Sequence, residues 1–387
     1  MNVLVINGTT DLYGANRILL QVMKILAPRK VILVVPAEGP MTDIIKQQAD
    51  YAHVTVLFYP RLPLAARSLG SASGVWDIYR KMRHFRRFVK SVAREHPIQW
   101  VYVNTLSCFI VLRVLKSLGL KSFLHVHEIL ENDRMVTRKI NQFALAWSDF
   151  VVTVSDPVRD NLLEAAKGYS DKVVTVFNGI EDRKKDFIGL PDDKGIVVTL
   201  FGRIKPEKGA WYFLDAISLL PAEVSAKCQF RIFGGPAPNG EGWVEKLRAD
   251  IRGHVAGRSI VYDSFIEDTS YELNRSDVIV VPSLMKDPFP TTVLEGLSAG
   301  KPVIATNTGG SKQAMVDGET GYLIGPEDKI RFAECLERLI TDGDLRHAMG
   351  AKARSRFLEC FTLDIFRNNL IREIDSFETT LSQPSKN

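Results

Sequence analysis

The sequence predicts an α/β protein built from two doubly wound, parallel-sheet halves. Three observations carry this. At 387 residues the chain exceeds the size at which one hydrophobic core stops growing. Short β-branched and aromatic runs alternate with amphipathic segments, as buried parallel strands and their crossovers do. The pattern breaks at a polar stretch, EDRKKDFIGLPDDKG (181–195), and then restarts.

The first series is VLVIN (3–7), RILLQVMKIL (17–26), VILVV (31–35), VTVLF (54–58), WVYVN (100–104), FLHVH (123–127) and FVVTV (150–154). The second is VVTLFG (197–202), FRIFGG (230–235), SIVYD (259–263), VIVVPS (278–283) and KPVIAT (301–306). One domain is therefore expected over 1–185 and another over 190–361. The tail FTLDIFRNNLIREIDSFETTL, from Phe361, has helical amphipathic spacing and no strand after it, so it is free to close either half.

An apolar fraction of 45% and a charged fraction of 25% are ordinary globular values. Cys108, Cys228, Cys335 and Cys360 lie too far apart for a zinc spacing or a disulfide framework and read as reduced thiols. The N-terminus lacks a basic region and a long apolar run, and no segment has the roughly 20 apolar residues of a membrane span, so a cytoplasmic protein is expected. Charge is uneven. Residues 1–190 hold 26 Lys/Arg against 17 Asp/Glu, and residues 191–387 hold 24 against 28, which points to an anionic partner for the first half.

In open parallel sheets, ligands bind at the carboxyl ends of strands. After the first strand, GTTDLYGAN places Gly8 and Gly14 ahead of a helix beginning near Asn16; this suits an anion at a helix N-terminus, or a structural turn. GRIKPEKG holds Arg203 and Lys208 five apart across a turn, which suits a diphosphate or a solvated loop. In VIVVPSLMKDPFPTTVLEGLSAGKPVIATNTGGSKQAM, Pro290 allows a helix to begin at Thr291 or Thr292. Glu295 then lies one turn inside, able to accept ribose hydroxyls, while Asp287 stays on the loop. Alternatively the two are a first-turn acid and a loop acid.

HVHE (125–128) ends a strand with His125 and His127 on one face. A histidine on an apolar strand is more often a core residue; two histidines and Glu128 also raise a metal site, but with no third ligand at a recognisable spacing. Residues 75–92 carry an apolar helical stripe of Val75, Ile78, Tyr79, Met82, Phe85, Phe88, Val89 and Val92. Arg80, Lys81, Arg83, Arg86, Arg87 and Lys90 surround it, a composition that suits an anionic membrane or an ordinary domain surface.

With these segments in order along nearly the whole chain, the sequence resembles glycosyltransferase family 4, whose fold is GT-B. The family's Gly-Gly-Ala-Glu-Arg loop corresponds to Tyr13, Gly14, Ala15, Asn16 and Arg17, its histidine strand to HVHE, and its domain junction to VFNGIE (176–181). GRIKPEKG is similar to its phosphate loop, Asp287 and Glu295 to its pair of glutamates, and GGSKQAMVDGETGYLI to the turn that follows. Tyr13 replaces a glycine, Asp287 a glutamate and Pro290 a glycine.

The resemblance implies two Rossmann-like domains facing across a cleft, with the helix at 362–387 crossing back to the first. It implies a retaining transfer needing no metal and no cofactor. Arg203, Lys208, Glu295, Thr292 and Gly14 would bind a nucleotide-sugar donor, and Asp287 and His127 would act on the sugar. The first domain would take the acceptor. With Arg83, Arg86 and Arg87 on that domain, a lipid-linked saccharide acceptor is expected at the cytoplasmic face of an anionic membrane, in the assembly of a polysaccharide such as O-antigen or capsule. No nucleic-acid partner is expected. A dehydrogenase would need GxGxxG with an acid roughly 20 residues on, which is absent. A phosphorylase would need a lysine context for pyridoxal, also absent. An epimerase and a non-catalytic nucleotide-sugar-binding protein remain as rivals, and the joint presence of Arg203, Lys208, Asp287 and Glu295 favours catalysis.

Overall fold

The computed structural model describes residues 2–64, 72–184, 195–236, 240–266 and 268–382. It resolves into two compact units, Met1–Phe177 with Phe366–Asn387, and Asn178–Ile365.

The first unit runs β1 (Asn2–Ile6), α1 (Gly14–Ile25), β2 (Lys30–Val35), α2 (Pro40–Gln47), β3 (Val54–Phe58), α3 (Ala72–Glu95), β4 (Ile98–Asn104), α4 (Phe109–Ser117), β5 (Ser122–Val126), α5 (Met135–Trp147), β6 (Phe150–Thr153), α6 (Asp156–Ala165) and β7 (Val173–Thr175). The second runs β8 (Ile196–Phe201), α7 (Ala210–Ser218), α8 (Ala222–Ser225), β9 (Cys228–Phe233), α9 (Glu241–Gly253), β10 (Ile260–Asp263), α10 (Ser270–Arg275), β11 (Val278–Val281), α11 (Thr291–Ser298), β12 (Val303–Thr306), α12 (Ser311–Ala314), β13 (Gly321–Ile324), α13 (Lys329–Thr341) and α14 (Gly343–Cys360). A last helix, α15 (Leu363–Ser382), follows.

The strands make two sheets, ordered β3-β2-β1-β4-β5-β6-β7 and β10-β9-β8-β11-β12-β13. Every pairing is parallel. Each order reverses once, between β1 and β4 and between β8 and β11, which is the double winding the alternating runs predict. Central strands such as β1 and β11 are almost wholly buried because helices cover both faces, and their unbroken Val/Ile/Leu composition follows from that.

The tail closes the first unit. Phe366, Leu370, Ile374 and Phe377 bury one stripe of α15 in the core that holds Val3, Trp100 and Phe123. Glu378 fixes the helix: it accepts two hydrogen bonds from Arg29, at 2.8 and 2.6 Å, and one from Trp100 Nε1 at 2.8 Å. The Arg29 guanidinium and the indole N–H together hold this carboxyl below its usual range, against the opposing effect of burial.

The division between units falls earlier than the polar stretch suggests. Residues 178–184 belong to the second unit because they are tied to it: Ile180 N–H donates to Phe361 O at 3.0 Å. Asp182 pairs with Arg354 at 2.5 Å. The remainder of the expected junction, residues 185–194, lies outside the described residues.

Candidate active site

Loops leaving the strands on either side of a switch point diverge, opening a crevice at the carboxyl edge. Both switch points carry polar clusters, and they are built differently.

In the second unit the loop after β8 is stitched to the loop after β11. Leu284 N–H donates to Glu207 O at 2.9 Å. Gly209 has φ +81°, and a Cβ there would lie 1.9 Å from the Pro282 carbonyl oxygen, so only glycine allows the seam to close. The seam brings Lys208 Nζ to 2.6 Å from Asp287 Oδ2, with 26% and 17% of the two side chains exposed. From behind, Gly310 N–H donates to Asp287 O at 2.8 Å. Gly309, at φ +52°, passes so near that a Cβ would sit 2.0 Å from the same oxygen. The Asp287 backbone is thus clamped from two sides.

Pro290 precedes α11, whose first turn contains no acidic residue. Thr292 is its second residue and Glu295 its fifth, both half-buried. The first amides of such a helix lack intrahelical acceptors and favour an anion. Arg203, also half-buried, lies two residues beyond β8 in the loop that carries Lys208. The sequence assigns Lys208 and Asp287 separate duties, and the structure joins them in one ion pair.

In the first unit, Ile6 pairs with Val103, so Asn7 and Asn104 stand side by side where β1 and β4 end. Asn104 Nδ2 donates to Asn7 Oδ1 at 2.9 Å, and Asn7 Nδ2 donates to Asn16 Oδ1 at 2.9 Å. Asn16 Nδ2 in turn donates to Thr9 Oγ1 at 2.9 Å, to Asp11 O at 2.9 Å and to Asp11 Oδ1 at 3.0 Å. All three asparagines are buried. At the near end, His127 Nε2 lies 3.1 Å from Asn104 Oδ1. Burial pushes the His127 ring down to about 3, so it is neutral at physiological pH.

Around it, Glu128 Oε2 accepts from Leu106 N–H at 3.1 Å and His127 N–H at 3.0 Å. Burial still raises the Glu128 carboxyl. Between these loops Thr105 is held at φ 69°, a strained conformation for a β-branched residue that costs on the order of 1–3 kcal/mol. His125 is a core residue: its Nδ1 meets the Tyr102 hydroxyl, and burial, aided by the neighbouring His127, pushes its ring well below the usual range. Among the described residues no three His, Cys, Asp or Glu side chains are grouped to hold a metal ion.

Gly14 opens α1 with open space where a Cβ would be, beside Tyr13, which is 47% exposed. On α3 the predicted stripe divides. Ile78, Phe85, Val89 and Val92 are buried in the unit, whereas Val75, Tyr79 and the neighbouring Trp76 are exposed. Arg83, Arg86 and Arg87 face outward. The apolar stripe is therefore mostly core, and the cations are the accessible side of the helix. Among the described residues no helix is long and apolar enough to cross a membrane.

Comparison with known proteins agrees with this architecture. Residues 181–356 match the Glycosyl transferases group 1 family and residues 13–184 match Glycosyltransferase Family 4. The chain belongs to the group 1, family 4 glycosyltransferases, with the GT-B fold of two parallel-sheet α/β domains. It is 28% identical over 212 residues to a D-inositol 3-phosphate glycosyltransferase of Stackebrandtia nassauensis, a stretch covering 51% of this chain and 47% of that one. The match thus spans about half the length of that relative. The Anabaena protein Alr3699/HepE, solved in complex with UDP and glucose, superposes with a TM-score of 0.78 at 17% identity, over 97% of this chain and 100% of its own. WaaG, a glycosyltransferase involved in lipopolysaccharide biosynthesis, superposes with a TM-score of 0.69 at 16% identity, over 96% and 98%.

Proposed function

We propose that this protein is a retaining glycosyltransferase that moves a sugar from a nucleotide-sugar donor to a saccharide acceptor without a metal ion. The observation that carries the reading is the Lys208–Asp287 pair at the second switch point, on two loops of which one also carries Arg203 and the other leads into the helix of Thr292 and Glu295. Two cations and a helix N-terminus suit a diphosphate, one carboxylate suits ribose hydroxyls, and the other suits the sugar. That the HepE structure holds UDP and glucose supports a donor of this chemical class.

In the proposed reaction the acceptor hydroxyl bonds to the anomeric carbon on the face from which the nucleoside diphosphate departs. The carbon–oxygen bond to phosphate breaks, its electron pair stays on the phosphate, and the acceptor proton passes to the departing phosphate oxygen. Arg203, Lys208 and the first amides of α11 stabilise the charge that accumulates there, usually the largest catalytic contribution. Asp287 orients the sugar hydroxyls, and His127 recognises a hydroxyl from the first unit.

The acceptor in this reading is a lipid-linked saccharide at the inner face of a membrane, within surface-polysaccharide assembly. Arg83 and Arg87 are exposed on α3 without an ion-pair partner among the described residues, and the exposed Trp76 and Tyr79 stack at 5.7 Å at the start of the same helix. Each cation near an anionic leaflet contributes about 1 kcal/mol. The lipopolysaccharide role of WaaG supports this class of acceptor. Sedimentation with anionic vesicles at low salt is expected, with loss on changing Arg83, Arg86 and Arg87 to Ser; a protein that ignores such vesicles takes a soluble acceptor.

The test of the reaction is nucleoside diphosphate release from UDP-, GDP- and ADP-sugars, with and without the membrane glycolipid fraction of the protein's own cells. Acceptor-dependent release and a product with the donor's anomeric configuration are expected. Donor binding without release would mark a binding protein, and an inverted anomer would sink the retaining mechanism.

A further inference from the structure

The asparagine chain in the first unit has a direction, and the direction reaches His127. Asp11 O and Asp11 Oδ1 can only accept, as a carbonyl and an ionised carboxylate, so the Asn16 atom facing them must be the amide nitrogen. Asn16 therefore presents Oδ1 to Asn7. The Asn7 nitrogen also faces the Thr9 carbonyl, at 2.6 Å, an independent obligate acceptor. Asn7 accordingly presents Oδ1 to Asn104, and Asn104, donating through Nδ2, presents Oδ1 to the ring. Two obligate acceptors thus determine the orientation of all three amides. An amide oxygen 3.1 Å from Nε2 requires the proton on that nitrogen. In the neutral ring Nδ1 is then bare, and it has no hydrogen-bond partner among the described residues.

We propose that Asn104, oriented through Asn7 and Asn16, is a positioning residue that fixes His127 as the Nε2–H tautomer, leaving Nδ1 to accept a hydrogen bond from a sugar hydroxyl. The hydroxyl assignment rests on the function proposed above; the tautomer rests on the relay alone. His127 so held is an acceptor that selects for a hydroxyl donor and does not add positive charge beside an oxocarbenium-like centre. Asn16 stands where the family resemblance places a glutamate, whose carboxylate could not donate to Asp11, so the relay is a property of this chain's own residues.

The titratable neighbours are His125, whose ring centroid lies 4.1 Å away, and Glu128, which accepts from the His127 backbone N–H. Tyr102 lies behind His125, Cys108 stands in the loop after β4, and Asp11 closes the far end of the relay.

The experiment is nitrogen-15 NMR of the histidine-labelled, full-length protein, with the His127 signals assigned by His127→Gln. In the wild type, Nε2 is expected to carry the proton and Nδ1 to be bare, with no protonation between about pH 8 and pH 5, where a free imidazole titrates. Asn104→Leu is expected to abolish the single tautomer and lower kcat about tenfold or more, with donor KM within about twofold. Asn104→Asp loses the donation to Asn7 Oδ1 but keeps an acceptor at Nε2, so it is expected to retain the tautomer while raising the ring pKa by about two units and introducing that step into the pH–rate profile. Glu128→Gln is expected to leave the tautomer in place. An Nδ1–H tautomer in the wild type, or an unchanged ring in Asn104→Leu, overturns the proposal, and the first of these needs no variant to fold. The correct tautomer in a protein that turns over no nucleotide sugar would instead remove the proposed reaction and leave the relay standing.

Discussion

The two switch points solve the same topological problem with opposite chemistry. At β8/β11 the edge is ionic: Lys208 and Asp287 pair at 2.6 Å, with Arg203 in the loop of Lys208 and Glu295 in the helix that follows the loop of Asp287. At β1/β4 it is a chain of neutral amides ending on a neutral imidazole. Charge suits a ligand that is itself charged and leaves with more charge than it brought. Neutral groups of fixed polarity suit hydroxyls, which are discriminated by donor and acceptor direction. In the proposed function the ionic edge takes the diphosphate, with Asp287 turned to the sugar, and the neutral edge adds a contact that reads the direction of a hydroxyl, although both are built at the same place in the same kind of sheet.

Asp287→Asn should break the comparison most sharply. It removes the carboxylate assigned to the sugar and frees Lys208, so turnover is expected to fall on the order of a hundredfold, about 2.7 kcal/mol in barrier, while affinity for free nucleoside diphosphate does not fall. A loss of nucleotide affinity as large as the loss of turnover would show that Asp287 serves the nucleotide. Glu295→Gln should do the reverse, weakening free nucleotide by roughly 1.5–3 kcal/mol, the range for hydrogen bonds to charged groups, as read by calorimetry. If affinity is untouched, Glu295 is only a helix residue.

The neutral edge should reveal itself in acid. His127 and His125 titrate below their ordinary 6.5 because burial disfavours the imidazolium. Between that value and the depressed ones, the unfolded chain binds more protons than the native one, so stability rises with pH and is lost as pH falls below about 6.5. Glu128, raised by burial, opposes part of this loss. Urea midpoints from pH 7 to 4 are expected to decline, and less steeply in His127→Gln; equal slopes would mean the ring charges freely in the native state.

Much of this was legible in sequence. Unbroken apolar runs gave eleven strands because buried parallel strands need no polar alternation, whereas β7 (VVT) and β13 (GYLI) are too short to stand out. The spacing of Phe366, Leu370, Ile374 and Phe377 shows a helix but not which core receives it; that depends on Trp100 and Phe123, far away in the chain. Arg203, Lys208 and Asp287 were visible as residue types on strand-end loops, and Glu295 as an acid one turn inside the helix that follows. The Lys208–Asp287 contact was not, since it depends on the glycines that let backbones touch. Nor was the relay, although VLVIN and WVYVN each close on asparagine: polar side chains ending two neighbouring apolar strands are the signal that sequence offered.

The most direct test of the ionic edge is calorimetric titration of UDP, GDP and ADP into the wild-type protein and Lys208→Ala, whose cation the structure places beside Asp287. At least one diphosphate is expected to bind the wild type, and its affinity to fall by roughly 1.5–3 kcal/mol in the variant. Binding of none of the three, or equal binding to both proteins, would contradict the assignment of this sheet edge to a nucleoside diphosphate.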